Sequence, residues 1–297
     1  MKISHPLTGS MVALITPMYE NGDVDFDALE KLVNFHIEAG TRAIVSVGTT
    51  GESATLNHDE HIEVMKKTIE YSSGRIPVIA GTGANSTSEA VELTQAAKDM
   101  NADACLLVTP YYNKPTQEGL YQHYKKIAES VEIDQILYNV PGRTGVDMSV
   151  DTIVRLSDIS NIIGVKDATG DLNVARSLID KCPEGFILLS GDDGTAIDFI
   201  IMGGHGGISV TANVVPEILS NAYDFAIRGN TEKAKELDLK ISNLHSHLFI
   251  ESNPIPVKWA MHKLGYCDKG IRLPLTSLSS DAQNILEDDL IDLGIIE

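Results

Sequence analysis

Short apolar segments alternate with longer amphipathic segments along most of this chain. The eight short segments are nearly continuous in apolar residues, and they are Val12–Ile15, Ala43–Val47, Val78–Ala80, Ala104–Val108, Gln135–Tyr138, Ile162–Val165, Ile187–Leu189 and Gly207–Val210. Continuous apolar runs of this length are typical of strands that are covered on both faces. Helical patterns lie between them, for example at Asp27–Ala39, His58–Tyr71, Thr87–Met100 and Gln117–Ser130. The alternation therefore predicts repeated β-α units with parallel strands.

The number of β-α units favours a closed barrel. Eight units close most economically into a (β/α)8 TIM barrel. A doubly wound sheet is the alternative, but it usually carries a glycine fingerprint after its first strand. The nearest match is Gly81-Thr-Gly83-Ala-Asn-Ser86, which follows the third strand segment and lacks the third glycine. We therefore predict a strand-to-helix turn there and no dinucleotide site.

The pattern changes after the eighth strand segment. From about Asn221 to Glu297 we find helical patterns and no convincing strand, and the helical patterns are Thr231–Ile250, Ile255–Leu264 and Asp281–Leu293. We predict a catalytic barrel over residues 1–225 and a C-terminal helical extension over residues 226–297 that packs on it. Helix starts are marked by the Asn57-x-x-Glu60 capping pattern and by Pro216.

Charge and cysteine content restrict the partners and the location of the protein. The net charge is −19, which argues against nucleic-acid and anionic-membrane binding because both partners are polyanions. No apolar run approaches the roughly 20 residues of a membrane span, and no signal peptide is recognisable, so we predict a cytoplasmic protein. The three cysteines are widely spaced without a CxxC pair, which predicts neither a disulfide framework nor a cysteine zinc site. An anionic substrate must then be attracted by a few local cations.

Polar residues collect where the predicted strands end, which is where TIM barrels carry their catalytic groups. The segments are Gly48-Thr-Thr-Gly-Glu-Ser53, Thr109-Pro-Tyr-Tyr-Asn113, Tyr138-Asn-Val-Pro-Gly-Arg-Thr144, Lys166-Asp167 and Ser190-Gly191-Asp192-Asp193. Lys166 follows an apolar strand and would enter the top of the barrel, where partial burial disfavours the ammonium form. A neutral amine can attack a ketone and form a Schiff base. The alternative is a lysine that pairs with a carboxylate, such as Asp167, at the barrel rim.

Three further groups suit Schiff-base chemistry. Tyr138 can move a proton if Thr49 and a second tyrosine supply a hydroxyl chain, and the alternative is a core tyrosine with a solvated hydroxyl. Arg143 can hold a carboxylate with two hydrogen bonds, and the alternative is a surface salt bridge. The Gly48–Gly51 segment offers N–H groups and hydroxyls to a small carboxylate, and the alternative is a tight turn.

Other polar clusters are weaker indications of a functional site. His58 and His61 lie three residues apart at a helix start, but no third ligand is evident, so we predict exposed histidines and no metal. Asp192 and Asp193 could bind a cation, although carboxylates at a helix start more commonly stabilise its dipole. The Gly203–Gly207 segment lets the chain approach a ligand closely or turn into strand eight.

The strand-end segments, taken together and in this order, resemble the 4-hydroxy-tetrahydrodipicolinate synthase (dihydrodipicolinate synthase) family. The resemblance adds Lys114-Pro115, Gly164-Val-Lys-Asp-Ala-Thr-Gly170 and Asn253-Pro-Ile-Pro-Val-Lys-Trp259 and covers essentially the whole chain from near Gly9. It implies a class I aldolase-like TIM barrel with a helical extension, a tetramer of two tight dimers, no cofactor, and condensation of pyruvate with L-aspartate 4-semialdehyde.

The resemblance also implies a role for each matching position. Lys166 forms the imine with pyruvate, Tyr138 is the acid and base, and Thr49 and Tyr112 complete the proton relay, with Tyr112 arriving from the neighbouring subunit. The Thr49–Thr50 segment holds the pyruvate carboxylate, the Ile208 carbonyl and Gly191 belong to the same pocket, and Arg143 holds the semialdehyde carboxylate. In lysine-sensitive members the feedback inhibitor L-lysine binds at the tight-dimer interface, and the matching positions are Ala54, His58, His61, Asn85, Glu89 and Tyr111.

Two alternative functions are considered. N-acetylneuraminate lyase and 2-keto-3-deoxy sugar acid aldolases share the lysine and the Gly-x-x-Gly-Glu signature but typically lack the arginine that is present here as Arg143. A non-catalytic binding barrel is disfavoured because Lys166, Tyr138, Tyr112, Thr49 and Arg143 are all present together. Asp167 replaces a glutamate that is frequent in the family, which is a conservative change.

Overall fold

Eight parallel strands form a closed barrel in the computed structural model, which describes residues 7–297. The strands are β1 (Gly9–Ala13), β2 (Ile44–Ser46), β3 (Val78–Gly81), β4 (Ala104–Val108), β5 (Gln135–Asn139), β6 (Ile162–Asp167), β7 (Ile187–Ser190) and β8 (Gly206–Ser209). Each strand pairs with the next, and β8 pairs with β1. The predicted TIM barrel is confirmed; residues 1–6 of the predicted barrel range lie outside the described residues.

Helices follow the strands and continue beyond the barrel. Those up to β8 are α1 (Phe26–Glu38), α2 (His58–Ser72), α3 (Thr87–Asp99), α4 (Gln117–Ser130), α5 (Pro141–Thr144), α6 (Val150–Leu156), α7 (Leu172–Lys181) and α8 (Ala196–Met202). Those after β8 are α9 (Pro216–Ile227), α10 (Thr231–Lys240), α11 (Ser242–His247), α12 (Ile255–Lys263) and α13 (Ser280–Asp292). Asn57 and Glu60 form the predicted capping box, and Pro216 begins α9 as predicted.

The strands are buried on both faces, which explains their continuous apolar sequences. Met11, Val45 and Leu106 belong to the cluster inside the barrel, whereas Val12 and Leu107 belong to the cluster between the strands and the helices. Successive side chains of a strand point to opposite faces, so a strand with two buried faces needs apolar residues at nearly every position.

Two predicted boundaries differ from the structure for physical reasons. The predicted first strand starts at Val12, but β1 starts at Gly9, which pairs with Gly206 of β8. A side chain on Gly206 would overlap the backbone of Gly9, so this pairing depends on glycines, which contribute nothing to an apolar pattern. The predicted helix 231–250 is interrupted between α10 and α11, where the backbone of Ile241 leaves helical geometry and its side chain is completely buried.

Two ion pairs attach the C-terminal extension to the barrel, one to the loop after β2 and one to the first turn of α2. Lys258 of α12 pairs with Glu52, and both side chains are buried. Burial lowers the pKa of Lys258, and the charge of Glu52 opposes that shift. Arg272 donates to both carboxylate oxygens of Glu60 at 2.7 and 2.6 Å, and these bonds lower the pKa of Glu60 to about 2.

Candidate active site

Lys166 and Tyr138 lie side by side at the carboxyl ends of two neighbouring strands. The two residues are register partners in the pairing of β5 with β6, and Lys166 Nζ lies 4.2 Å from the centre of the Tyr138 ring. Both side chains are buried. Asp167 does not pair with the lysine, because its carboxylate accepts hydrogen bonds from Thr169 and from the Asn139 amide instead. The lysine therefore points into the barrel, as predicted. The structure does not contain the alternative pair of Lys166 with Asp167 at the rim.

Gly191 provides the space for the lysine side chain. A Cβ atom at this position would lie 2.6 Å from Lys166 Cε and 2.9 Å from Ala168 Cβ. Such contacts are shorter than packed carbon atoms allow, so a side chain here would displace the lysine. The absence of a side chain after β7 thus leaves the space that Lys166 occupies.

A cavity of about 400 Å³ lies above the amine. Of the predicted site residues, it brings together Thr49, Thr50, Tyr138, Arg143, Lys166 and Gly191. Ile208 does not line this cavity with the others; it is buried in β8 within the interior cluster. The wall also contains residues that the sequence analysis did not assign to the site, namely Asp192, Asp193, His245, Phe249 and Asn253.

Asn253 connects the two segments predicted to hold carboxylates. Its side-chain Nδ2 donates to Thr50 Oγ1 at 3.1 Å, and its backbone carbonyl oxygen accepts from Arg143 Nη2 at 3.1 Å. Within residues 7–297 Arg143 forms no ion pair, so the surface salt bridge considered as its alternative is not present. The guanidinium is exposed at the cavity mouth and can receive an anion.

Tyr112 points away from its own cavity. It has a left-handed backbone with φ of 72°, and 89% of its surface is exposed. The segment is fixed because Asn113 donates to the Asn85 carbonyl at 2.8 Å and Asn85 donates to the Tyr111 carbonyl at 3.1 Å. An exposed tyrosine on a fixed loop is available to another molecule rather than to Lys166 of the same chain.

A second cavity of about 250 Å³ adjoins the first and shares Thr49 and Arg143 with it. Four of the six predicted lysine-site residues line it, namely Ala54, His61, Glu89 and Tyr111. Asn85 contacts this region through its bond to Tyr111, whereas His58 is half-exposed and is not part of the lining. Burial and the charge of Glu89 raise the pKa of Tyr111.

The prediction that His61 is exposed is wrong. Its ring is buried, and Nε2 lies 2.7 Å from the Gly81 carbonyl, to which it donates. Burial lowers the pKa of His61, so the ring is neutral and Nδ1 is left as an acceptor. The other weak clusters have structural roles: Asp192 caps the 3-10 turn 193–195, and Gly203–Gly207 leads into β8.

Neither a metal nor a membrane is indicated by the part of the chain that is described. No group of three or more His, Cys, Asp or Glu residues among residues 7–297 is arranged to hold a metal ion. Over the same range, each helix is too short or too polar to cross a lipid bilayer.

Comparisons with known proteins give one consistent result. The sequence model of the dihydrodipicolinate synthetase family matches residues 6–292. The chain is 67% identical over 296 residues to 4-hydroxy-tetrahydrodipicolinate synthase from Ruthia magnifica, covering 100% of both chains. It superimposes on the chloride-inhibited dihydrodipicolinate synthase from Acinetobacter baumannii in complex with pyruvate, with a TM-score of 0.97, 59% identity, and coverage of 98% and 100%. The lysine-bound enzyme from Cyanidioschyzon merolae gives a TM-score of 0.96 at 35% identity, with coverage of 99% and 100%.

Proposed function

We propose L-aspartate 4-semialdehyde as the second substrate of this chain, which belongs to the dihydrodipicolinate synthetase family. The chain is an enzyme, a TIM-barrel lyase that catalyses a pyruvate-dependent condensation in lysine and diaminopimelate biosynthesis. Enzymes of the family hold pyruvate as a Schiff base on a lysine and need no cofactor. The observation that carries our proposal is the joint placement of Lys166, Tyr138 and Arg143 around one cavity.

This placement supports the catalytic roles that we propose. The Lys166 amine adds to the pyruvate ketone, and Tyr138 donates the proton with which the hydroxyl of the adduct leaves as water. Tyr138 then accepts a methyl proton, which yields the enamine carbon that attacks the semialdehyde. Thr49 of the same chain relays these protons together with Tyr112 of a neighbouring subunit. Thr50 lines the pyruvate pocket, where Gly191 leaves room for the lysine.

A substrate comparison tests the proposed reaction. Purified protein should consume L-aspartate 4-semialdehyde only when pyruvate is present, and it should not cleave N-acetylneuraminate or 2-keto-3-deoxy sugar acids. Cleavage of a sugar acid without semialdehyde turnover would assign the chain to the aldolases instead. No turnover of any of these substrates would favour the non-catalytic barrel.

Arg143→Ala should damage use of the semialdehyde far more than imine formation. Truncating one partner of a buried charged pair typically costs about 2–5 kcal/mol, and we expect the lower half of this range at the cavity mouth. The measurement compares kcat/KM for the semialdehyde with the rate of pyruvate trapping by borohydride. Arg155→Ala is the matched control, because Arg155 is half-exposed and pairs with Glu118 at 3.1 Å away from the cavity. Equal losses in both measurements would exclude the proposed role.

We propose that the second cavity binds L-lysine, the end product of the pathway. A lysine-bound relative of the same fold supports inhibition by this ligand. Glu89 can accept from the α-ammonium, with Asn85 beside it, and the Tyr111 hydroxyl can donate to the carboxylate. His58, His61 and the Ala54 carbonyl are available to the distal amine. Tyr111 adjoins Tyr112, so a bound lysine can disturb the proton relay.

Glu89→Thr should weaken inhibition by L-lysine while leaving basal activity intact. Removing the carboxylate leaves the α-ammonium without its charged partner, and we expect the half-inhibitory concentration to rise on the order of tenfold or more. The titration compares the parent, Glu89→Thr and Glu92→Thr, which changes an exposed glutamate of the same helix that does not line the cavity. Identical curves for the parent and Glu89→Thr, or no inhibition of the parent at millimolar lysine, would remove this site.

We further propose a homotetramer built from two tight dimers, with Tyr112 exchanged within each tight dimer. The two segments, 1–225 and 226–297, act as the catalytic barrel and the extension that closes over it, which the Lys258–Glu52 and Arg272–Glu60 pairs support. The expected location is the cytoplasm, and the net charge of −19 speaks against nucleic-acid and membrane partners.

A further inference from the structure

His245 belongs to the extension yet forms part of the wall of the active-site cavity. It lies in α11, and its side chain is almost completely buried. Each ring nitrogen has a polar neighbour, because Nδ1 lies 2.9 Å from Thr211 Oγ1 and Nε2 lies 3.2 Å from Asp238 Oδ1. The ring thus joins α10 to the turn that follows β8.

The hydrogen bonds around Thr211 determine the direction of each proton. The Asp193 carboxylate accepts from the backbone N–H groups of Val210 and Thr211, both at 3.0 Å, and from Thr211 Oγ1 at 3.1 Å. The hydroxyl has one proton, which this bond uses, so its oxygen is an acceptor toward His245. Nδ1 must then carry a proton, and Nε2 must carry another because it faces the Asp238 carboxylate.

We propose that His245 is a positively charged positioning residue, an imidazolium that holds the turn after β8 in place for the pyruvate pocket. The catalytic effect that we infer rests on the proposed function. The positive charge of His245 does not depend on that function. The turn that Asp193 and His245 fix begins at Val210, which lines the cavity that also holds Lys166. Val210, Asp193 and His245 all line the same cavity.

The electrostatic surroundings support the charged form. Burial alone would lower the pKa of His245, but the hydrogen bond to Asp238 and the charges of Asp193, Asp238 and Asp192 outweigh it, and the pKa is raised above 6.5. Tyr223, which burial and the same carboxylates keep protonated, adds no positive charge. His36 provides an internal contrast, because its Nδ1 also contacts a threonine, at 3.0 Å from Thr41 Oγ1. No carboxylate shifts its titration, and burial lowers the pKa of His36 to about 3.

The charge can be measured directly by NMR on the full-length protein labelled with 15N and 13C in histidine, with the resonance assigned by its loss in His245→Gln. We expect both ring nitrogens to be protonated below pH 6.5, with a midpoint above 6.5. Asp238→Asn should lower that midpoint by about one unit or more, because an adjacent opposite charge is removed. A ring with an unprotonated Nδ1 below pH 6.5 would overturn the proposal.

The positioning role predicts a pH dependence that a purely structural role does not. The raised pKa means that the charge is present below it and is lost as pH rises through it, so kcat/KM for pyruvate should fall over that range. In Asp238→Asn this fall should move to lower pH by the same amount as the NMR midpoint. Asp289→Asn is the matched control, since Asp289 contacts His247 of the same helix at 2.6 Å, and neither residue lines the cavity.

Failure of the positioning role and failure of the proposed function give different results. A shifted NMR midpoint in Asp238→Asn with an unchanged pH profile of activity would overturn the positioning role. Absence of pyruvate turnover in the parent would contradict the proposed function instead.

A second pair of variants applies if Asp238→Asn does not fold. Thr211→Ser keeps the bridging hydroxyl, and Thr211→Val removes it. We expect kcat/KM for pyruvate to fall about tenfold in Thr211→Val and to stay near the parent value in Thr211→Ser. Equal values for the two would overturn the proposal.

Discussion

Lys166→Arg should abolish both pyruvate trapping by borohydride and condensation. A guanidinium stays protonated and has no lone pair with which to attack a ketone, while the length of the arginine side chain resembles that of lysine. Loss of a covalent nucleophile typically lowers kcat on the order of 10⁴- to 10⁶-fold. In the parent, pyruvate with borohydride should add mass irreversibly to the peptide that contains Lys166, as peptide mapping by mass spectrometry can show.

The control for this experiment is Lys181→Arg. Lys181 is half-exposed on α7 and pairs with Asp151 at 3.0 Å, a contact that arginine can keep. This variant should be trapped and should turn over like the parent. Trapping on a different peptide, or equal trapping of Lys166→Arg, would show that Lys166 is not the Schiff-base residue. The unfolding midpoint of Lys166→Arg should match that of the parent, which excludes misfolding as the cause of lost activity.

The barrel and the centre of its site could be predicted because both depend on local sequence patterns. A strand that is buried on two faces needs continuous apolar residues, and the segment Ala104–Val108 matches the observed strand residue for residue. Consecutive strands of a TIM barrel are neighbours, so the ends of β5 and β6 bring Tyr138 and Lys166 together without any further information. The resemblance to a known family then assigned chemistry to these positions.

What the sequence could not predict depends on how the extension lies on the barrel. Asn253 and Thr50 are 203 residues apart, and no periodic pattern relates them. The same holds for the buried Lys258–Glu52 pair, since a single lysine in an apolar helix does not identify its partner. The Asn253-Pro-Ile-Pro-Val-Lys-Trp259 segment was recognisable as part of the resemblance, and that was the signal that could have placed Asn253 in the site. His61 was misjudged because local sequence does not show that its helix turns this ring toward β3, where the Gly81 carbonyl accepts its hydrogen bond.

Tyr112→Phe should be nearly inactive alone and should regain activity when it is mixed with Lys166→Arg. Removing a proton-transfer group typically costs about 10²- to 10⁴-fold. Tyr112 is 89% exposed and has a left-handed backbone, a conformation that a bulky residue adopts only when its surroundings hold it. A neighbouring subunit that receives the ring would explain both features.

The expected recovery follows from counting sites in mixed dimers. If Tyr112 crosses the tight-dimer interface, one site of each heterodimer combines intact Lys166 with intact Tyr112, and its other site lacks both. With equal amounts and random association, roughly a quarter of all sites should be active in an isologous dimer. Mixing Lys166→Arg with Tyr138→Phe is the control, because β5 and β6 of one chain hold both residues, so every site stays defective. Recovery in the first mixture but not in the second assigns Tyr112 to the neighbouring site. No recovery in heterodimers of demonstrated composition would leave Tyr112 outside the relay.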